Sequence, residues 1–170
     1  MSNLPFMSVV VCSYNGADTI GDAIESLLNQ DYPKGRYEII AVDDGSTDDT
    51  GEVIRRYPRV RYVPLAKNSG ISAARNAGLG AAKGDIYAAF DDDFIADHGW
   101  LRHLASGYKL ENSVGVAGRI TAARPLRGLA ESYTGITGGG FRHMAAAGTS
   151  FRRLLNYLGS GLRILDTHDG

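Results

Sequence analysis

The residues of this chain whose types and spacing could do chemistry are its paired and tripled aspartates. Asp91, Asp92 and Asp93 stand in a row directly after an apolar stretch, and Asp43 and Asp44 stand together after another. Three adjacent carboxylates repel one another, and burying them unpaired is costly. A divalent cation removes that cost. Residues two apart on an extended chain point the same way, so Asp91 and Asp93 are expected to face one site. Oxygen donors with no His or Cys among them favour Mg or Mn over Zn. One or two carboxylates plus substrate phosphates is a usual way to hold such an ion. An isolated triplet reads as a solvated acidic turn leading into the helix near Asp97. Its place at the end of an apolar strand favours the cation.

Asp43 and Asp44 can accept a hydrogen bond from the N–H of a uracil ring or from ribose hydroxyls. The run from Asp43 to Ser46 is equally ordinary turn chemistry. Tyr14, next to Asn15, offers an aromatic face for a nucleobase, or a rim aromatic covering the helix that follows. Arg75 follows Asn68, Ser69 and Gly70 near a helix start, where an Arg and unpaired backbone N–H groups can reach a diphosphate. On spacing alone it reads as a solvent-facing ion pair. No GxxxxGK[ST] phosphate loop is present, and Gly78-Leu79-Gly80 does not open a helix after a strand. His98, His103, His143 and His168 form no metal-ligand pair at helical spacing, and His98 and His103 read as surface residues.

These residues need elements to position them, and the chain supplies an alternation. Met7 to Cys12 is a valine-rich run that reads as a buried strand. Ile20, Ala23, Ile24, Leu27 and Leu28 then fall at helical spacing, and Pro33 and Gly35 end that helix. Tyr37 to Val42 is a second strand. Ser46 is expected to cap the next helix, with Asp49 in a capping-box-like place and Val53 and Ile54 on its apolar side. Val60 to Pro64 is a short third strand, placed near a sheet edge by its proline. Ile71 to Ala82 is a helix whose small residues allow close packing on a sheet. Ile86 to Phe90 is the fourth strand, Trp100, Leu101, Leu104 and Tyr108 mark a fourth helix, and Val114 to Ile120 is a fifth strand. The stretch from Gly135 to Gly148 reads as loose. Alternation at these lengths predicts an α/β fold, a doubly wound and mainly parallel sheet with helices on both faces. Ligands of such sheets bind outside the carboxyl ends of the strands, where strand order reverses. The clusters after the first, second and fourth strands are therefore expected to converge on one rim.

The bulk numbers narrow the function classes. A chain of 170 residues suits one domain, and 44% hydrophobic with 22% charged residues is ordinary for a globular protein. A formal net charge of -1 gives no global attraction to nucleic acid or to an anionic membrane. Any bound anion must be held locally. The single cysteine, Cys12, excludes an internal disulfide and a cysteine zinc cluster. No segment approaches the roughly 20 apolar residues of a membrane span, and the N-terminus lacks the basic start of a secretory signal. The expected location is cytoplasmic, including the inner face of a membrane.

Four stretches carry a resemblance: SVVVCSYNGADTIGDAIESLLNQDYP, EIIAVDDGSTDDT, NSGISAARNAGLGAAKGD and AAFDDDFIADHGWL, in that order. Together they resemble the family 2 inverting glycosyltransferases of GT-A fold, over roughly Met7 to Ile120, with a fainter echo in Phe151 to Arg153. The resemblance implies a nucleotide-diphospho-sugar donor, with uridine as the default base, and a Mn or Mg ion. By position it places Cys12 and Tyr14, with Asn15, at the nucleoside. It places Asp44, helped by Asp43, at the base and Arg75 near the donor phosphates. Asp91 and Asp93 become the ends of a DxD motif, Asp91 near ribose and metal and Asp93 on the metal, with Asp92 between them in the donor site. Cys12 departs from the Thr or Pro usual there. The implied acceptor is a glycan or lipid-linked glycan, with no nucleic acid and with room for a membrane-associated partner. The implied base lies downstream, where Asp166 and Asp169 are the only late acidic candidates and read equally as tail residues. On this reading 6–124 is the nucleotide-sugar-binding part of a single domain and 125–170 an incomplete or divergent acceptor-side segment. A donor-binding module without transferase activity is the alternative.

Overall fold

The computed structural model describes residues 4–107, 116–118 and 143–147. Ten elements follow in chain order. They are β1 (Met7–Ser13), α1 (Ile20–Leu28), β2 (Tyr37–Asp43), α2 (Thr50–Arg55), β3 (Val60–Pro64), α3 (Ile71–Ala81), β4 (Ile86–Asp91), α4 (Trp100–Gly107), β5 (Val116–Gly118) and β6 (His143–Ala147). The strands form one sheet in the order β3-β2-β1-β4-β6-β5. β1 pairs in parallel with β2 and β4, and β2 with β3. β6 runs antiparallel to both β4 and β5. Strand order therefore reverses at β1, which steps to β2 on one side and has β4 on the other.

The valine-rich β1 is mostly apolar because both of its faces are covered, and all seven of its residues, Ser8 and Ser13 included, are buried. Met7, Val9 and Val11 join Ile39, Ala41, Ile86, Ala88 and Phe90 in a core roofed by α1, α2 and α4. In α1, Ile20, Ala23, Ile24 and Leu27 have no solvent exposure. Each large aliphatic among them contributes about 1.5–3 kcal/mol by burial. Val10, Cys12, Ile40 and Val42 face the other way and pack on Ala74 and Ala77 of α3. A Cβ at Gly78 would overlap the Val10 side chain, so the small residues of α3 do bring it onto the sheet.

Two expectations are corrected. Ser46 does not cap α2: its backbone N–H donates to Asp43 Oδ1 at 2.9 Å, and α2 begins only at Thr50. The Asp43 carboxylate captures that N–H in a tight turn, which competes with helix entry at this point. The stretch from Gly135 to Gly148 contains β6, paired with β4 through Ala145, Ala146 and Ala147. The fifth strand is described over Val116–Gly118, inside the expected Val114 to Ile120. Pro64 does end a strand at the sheet edge, as its missing N–H requires. Tyr108, Asp166, Asp169 and the Phe151–Arg153 stretch lie outside the described residues.

Candidate functional site

The sheet register brings the polar clusters together. Ser13 is the register partner of Asp43, and Cys12 is the partner of both Val42 and Asp91. The backbone N–H of Asp44 donates to Ser13 O at 2.9 Å. The carboxyl ends of β1, β2 and β4 thus form one rim, at the point where strand order reverses.

Two buried aspartates hold that rim in shape. Asp43 accepts Tyr62 O–H at 2.9 Å on Oδ2, besides the Ser46 N–H on Oδ1. Gly45, at φ 68°, makes the tight turn that follows. Asp44 is 4% exposed and takes one backbone N–H on each oxygen, Ser69 on Oδ1 and Gly70 on Oδ2, both at 2.8 Å. Gly70 is the N-cap of α3, so a carboxylate sits at the positive end of that helix. The loop that precedes Arg75 is therefore anchored to the end of β2. A carboxylate has about four lone-pair sites, so Asp44 retains capacity for a ring N–H.

Arg75 projects from α3 to Asp91, with Nη2 3.4 Å from Oδ1, and both side chains are about one-third exposed. The ion pair read from spacing alone exists, and it points into the rim. Burial pushes the Cys12 thiol up to about 12, with Asp91, Asp44 and Asp92 adding to it and Arg75 opposing. Cys12 is thus a neutral thiol surrounded by the site's charges, and is no nucleophile.

The three adjacent aspartates go to three places. Asp91 ends β4 and faces Arg75. Asp92 accepts a hydrogen bond from Ser13 Oγ. Asp93 is exposed. The expectation that Asp91 and Asp93 share an extended segment is corrected, because a turn closed by Phe94 N–H to Asp91 O, 3.3 Å, follows β4. Burial raises the Asp92 carboxyl above the ordinary range, the Ser13 hydrogen bond opposes this, and Asp93 and then Asp91 add to it. Among the described residues no group of three or more His, Cys, Asp or Glu is placed to hold an ion. Asp91 is about one-third exposed and Asp93 exposed, so both carboxylates are accessible, and Asp91 already attracts one positive group, the Arg75 guanidinium.

Tyr14 is 48% exposed on the loop after β1. Asn15, at φ 53°, occupies the left-handed region that Asn tolerates. Its backbone N–H donates to Ser46 Oγ at 2.9 Å, and its Oδ1 accepts Thr47 N–H at 2.8 Å. Gly16 N–H donates to Thr50 Oγ1 and Ala17 N–H to Asp48 Oδ2. Asn15 is thus a brace between the loops after β1 and β2. Sequence reasoning missed Tyr62 and Gly16 as parts of this site, and gave Ser13 no partner. The only signal for Ser13 was a hydroxyl at the end of a valine-rich strand.

The sequence pattern of Glycosyl transferase family 2 matches residues 8–157. The chain is 33% identical over 141 residues to the glycosyltransferase AglE of Haloferax volcanii, covering 80% of this chain and 46% of AglE. It is 43% identical over 106 residues to the succinoglycan biosynthesis protein ExoO of Rhizobium meliloti, covering 61% of this chain and 30% of ExoO. The chain thus spans less than half the length of these relatives. Among solved structures, S. aureus TarS 1-349 in complex with UDP superimposes with a TM-score of 0.61 at 30% identity, over 69% of this chain and 38% of TarS 1-349. The mannosyltransferase PcManGT of Pyrobaculum calidifontis, in complex with GDP-Man and Mn2+, gives 0.59 at 29% identity, over 67% of this chain and 35% of that enzyme.

Proposed function

Because the chain belongs to glycosyl transferase family 2, we propose that it transfers a sugar from a nucleoside diphosphate donor, with uridine the default base, to an acceptor hydroxyl with inversion. The observation that carries this reading is the meeting of Tyr14, Asp44, Arg75 and Asp91 on one rim at the reversal of strand order. Support also comes from two similar structures, one in complex with UDP and one with GDP-Man and Mn2+.

In this reading Tyr14 stacks on the base and the free lone pairs of Asp44 take its ring N–H. Arg75 leaves Asp91 far enough to meet the donor diphosphate. A Mn or Mg ion fits Asp91 and Asp93, and when bound it supplies positive charge to the departing diphosphate. The chain's own residues orient the donor so that its anomeric carbon is open on the side away from the diphosphate. The acceptor oxygen forms the new bond there as the bond to the diphosphate oxygen breaks, and a carboxylate takes the acceptor proton. Asp166 and Asp169 remain candidates for that base. A glycan or lipid-linked glycan acceptor, met at the inner face of a membrane, fits the reading. No helix among the described residues is long and apolar enough to cross a membrane.

The test is a thermal-unfolding screen of UDP, GDP and their sugar conjugates, with Mn or with chelator, followed by radiolabelled transfer to a panel of acceptors. Ligand at about 100 times its Kd stabilises by about 2.7 kcal/mol. A Mn-dependent rise with UDP, followed by transfer, supports the reading. Binding without transfer or hydrolysis supports the donor-holding module instead. No response to any nucleotide refutes both.

A further inference from the structure

The middle aspartate of the triplet reaches across to another strand. Ser13, the last residue of β1, donates its hydroxyl to Asp92 Oδ2, joining positions 79 apart in sequence. Gly16 lies against this pair: a Cβ there would overlap both Asp92 Oδ2 and Ser13 Oγ. The short segment carrying Tyr14 and Asn15 therefore begins at a latch on the β4 turn. Its far side is fastened to the loop after β2, through Asn15 to Ser46 and Thr47 and through Gly16 to Thr50. Asp92 is its hydrogen-bonded connection to the turn that carries Asp91 and Asp93.

We propose that Asp92 is a positioning residue, acting through Ser13 to fix the nucleoside-binding loop against the cation-binding turn rather than touching donor or metal itself. This rests on the donor-site reading above. It replaces a direct donor contact for Asp92 with an indirect one. It also accounts for a third carboxylate where two would serve a cation.

The experiment is a double-mutant cycle on Ser13→Ala and Asp92→Ala. UDP affinity is measured by calorimetry in the presence of chelator, and Mn affinity of the free protein by electron paramagnetic resonance. Wild-type protein that binds no nucleoside diphosphate refutes the donor site and this inference with it. If wild type binds, each single variant is expected to weaken metal-free UDP binding roughly tenfold, the size of one lost buried hydrogen bond. The double variant is expected to be no weaker than either. Asp92→Asn keeps an acceptor for the Ser13 hydroxyl and is expected to restore most of the affinity. Mn affinity is expected to stay within twofold in every variant. Losses that add in the double variant, a large fall in Mn affinity in Asp92→Ala, or unchanged UDP affinity in that variant would each overturn the proposal while leaving the donor site standing.

Discussion

Replacing Asp44 by Asn separates its work in the fold from its work on a ligand. Each carboxylate oxygen accepts one backbone N–H at 2.8 Å, and the side chain is 4% exposed. Asn keeps one acceptor and turns the other into an NH2 group facing an N–H donor. One charge-assisted bond is lost, worth about 1.5–3 kcal/mol, along with the favourable charge at the start of α3. We therefore expect Asp44→Asn to destabilise by about 2 kcal/mol, a fall in Tm of roughly 4–8 °C for a domain of this size. Asp44→Ala loses both bonds and should cost about 3–6 kcal/mol. Urea unfolding followed by circular dichroism reads this as a lower midpoint at unchanged slope. UDP affinity should fall as well, since the loop leading to Arg75 is released, whereas Mn affinity should be largely kept. A midpoint equal to wild type for both variants would refute the reasoning, because two buried charge-assisted bonds cannot be lost without effect.

Asp93→Ala should abolish the Mn-dependent part of UDP-sugar binding with little change in Tm, and equal calorimetric affinity with Mn before and after the change would defeat the cation assignment. Tyr87 has a buried hydroxyl with no hydrogen-bond partner among the described residues, so Tyr87→Phe should raise stability by about 1 kcal/mol; a clear fall in Tm would show that the hydroxyl is satisfied. Cys12 should resist thiol reagents at pH 8 in native protein and react at once in urea, and equal rates would contradict its burial. The Cys12 thiol is held up at about 12 against an ordinary 9.0. The unfolded chain loses that proton first, so this contribution to stability is complete below pH 9 and is lost as pH rises toward 12.

The fold was legible wherever burial on both faces wrote an apolar run. Met7–Cys12 and Tyr37–Val42 read as strands because helices cover both sides of them, and Ile86–Phe90 because one face lies in the core and the other is half-buried. The strand His143–Ala147 was illegible because a run of three alanines after Gly138–Gly140 has no β-branched residue to mark it. Its conformation comes from pairing with β4, not from local preference. At the site, the clusters at strand ends could be read from position alone. Partner choice could not: whether Asp92 meets a cation or Ser13 depends on a turn after β4. Whether Ser46 or a later residue opens α2 depends on the reach of the Asp43 carboxylate. Such contests between nearby hydrogen-bonding groups are settled by angles that spacing does not encode.

The antiparallel strand inserted beside β4 has a consequence for how the aspartate triplet is presented. Without β6, the strand delivering Asp91 would lie at the margin of the sheet, its outer N–H and C=O groups bare and open to a second copy of the chain. Residues 145–147 act as a splint along Ile86, Tyr87 and Ala88. β6 thus steadies from behind the strand that carries the acidic tip.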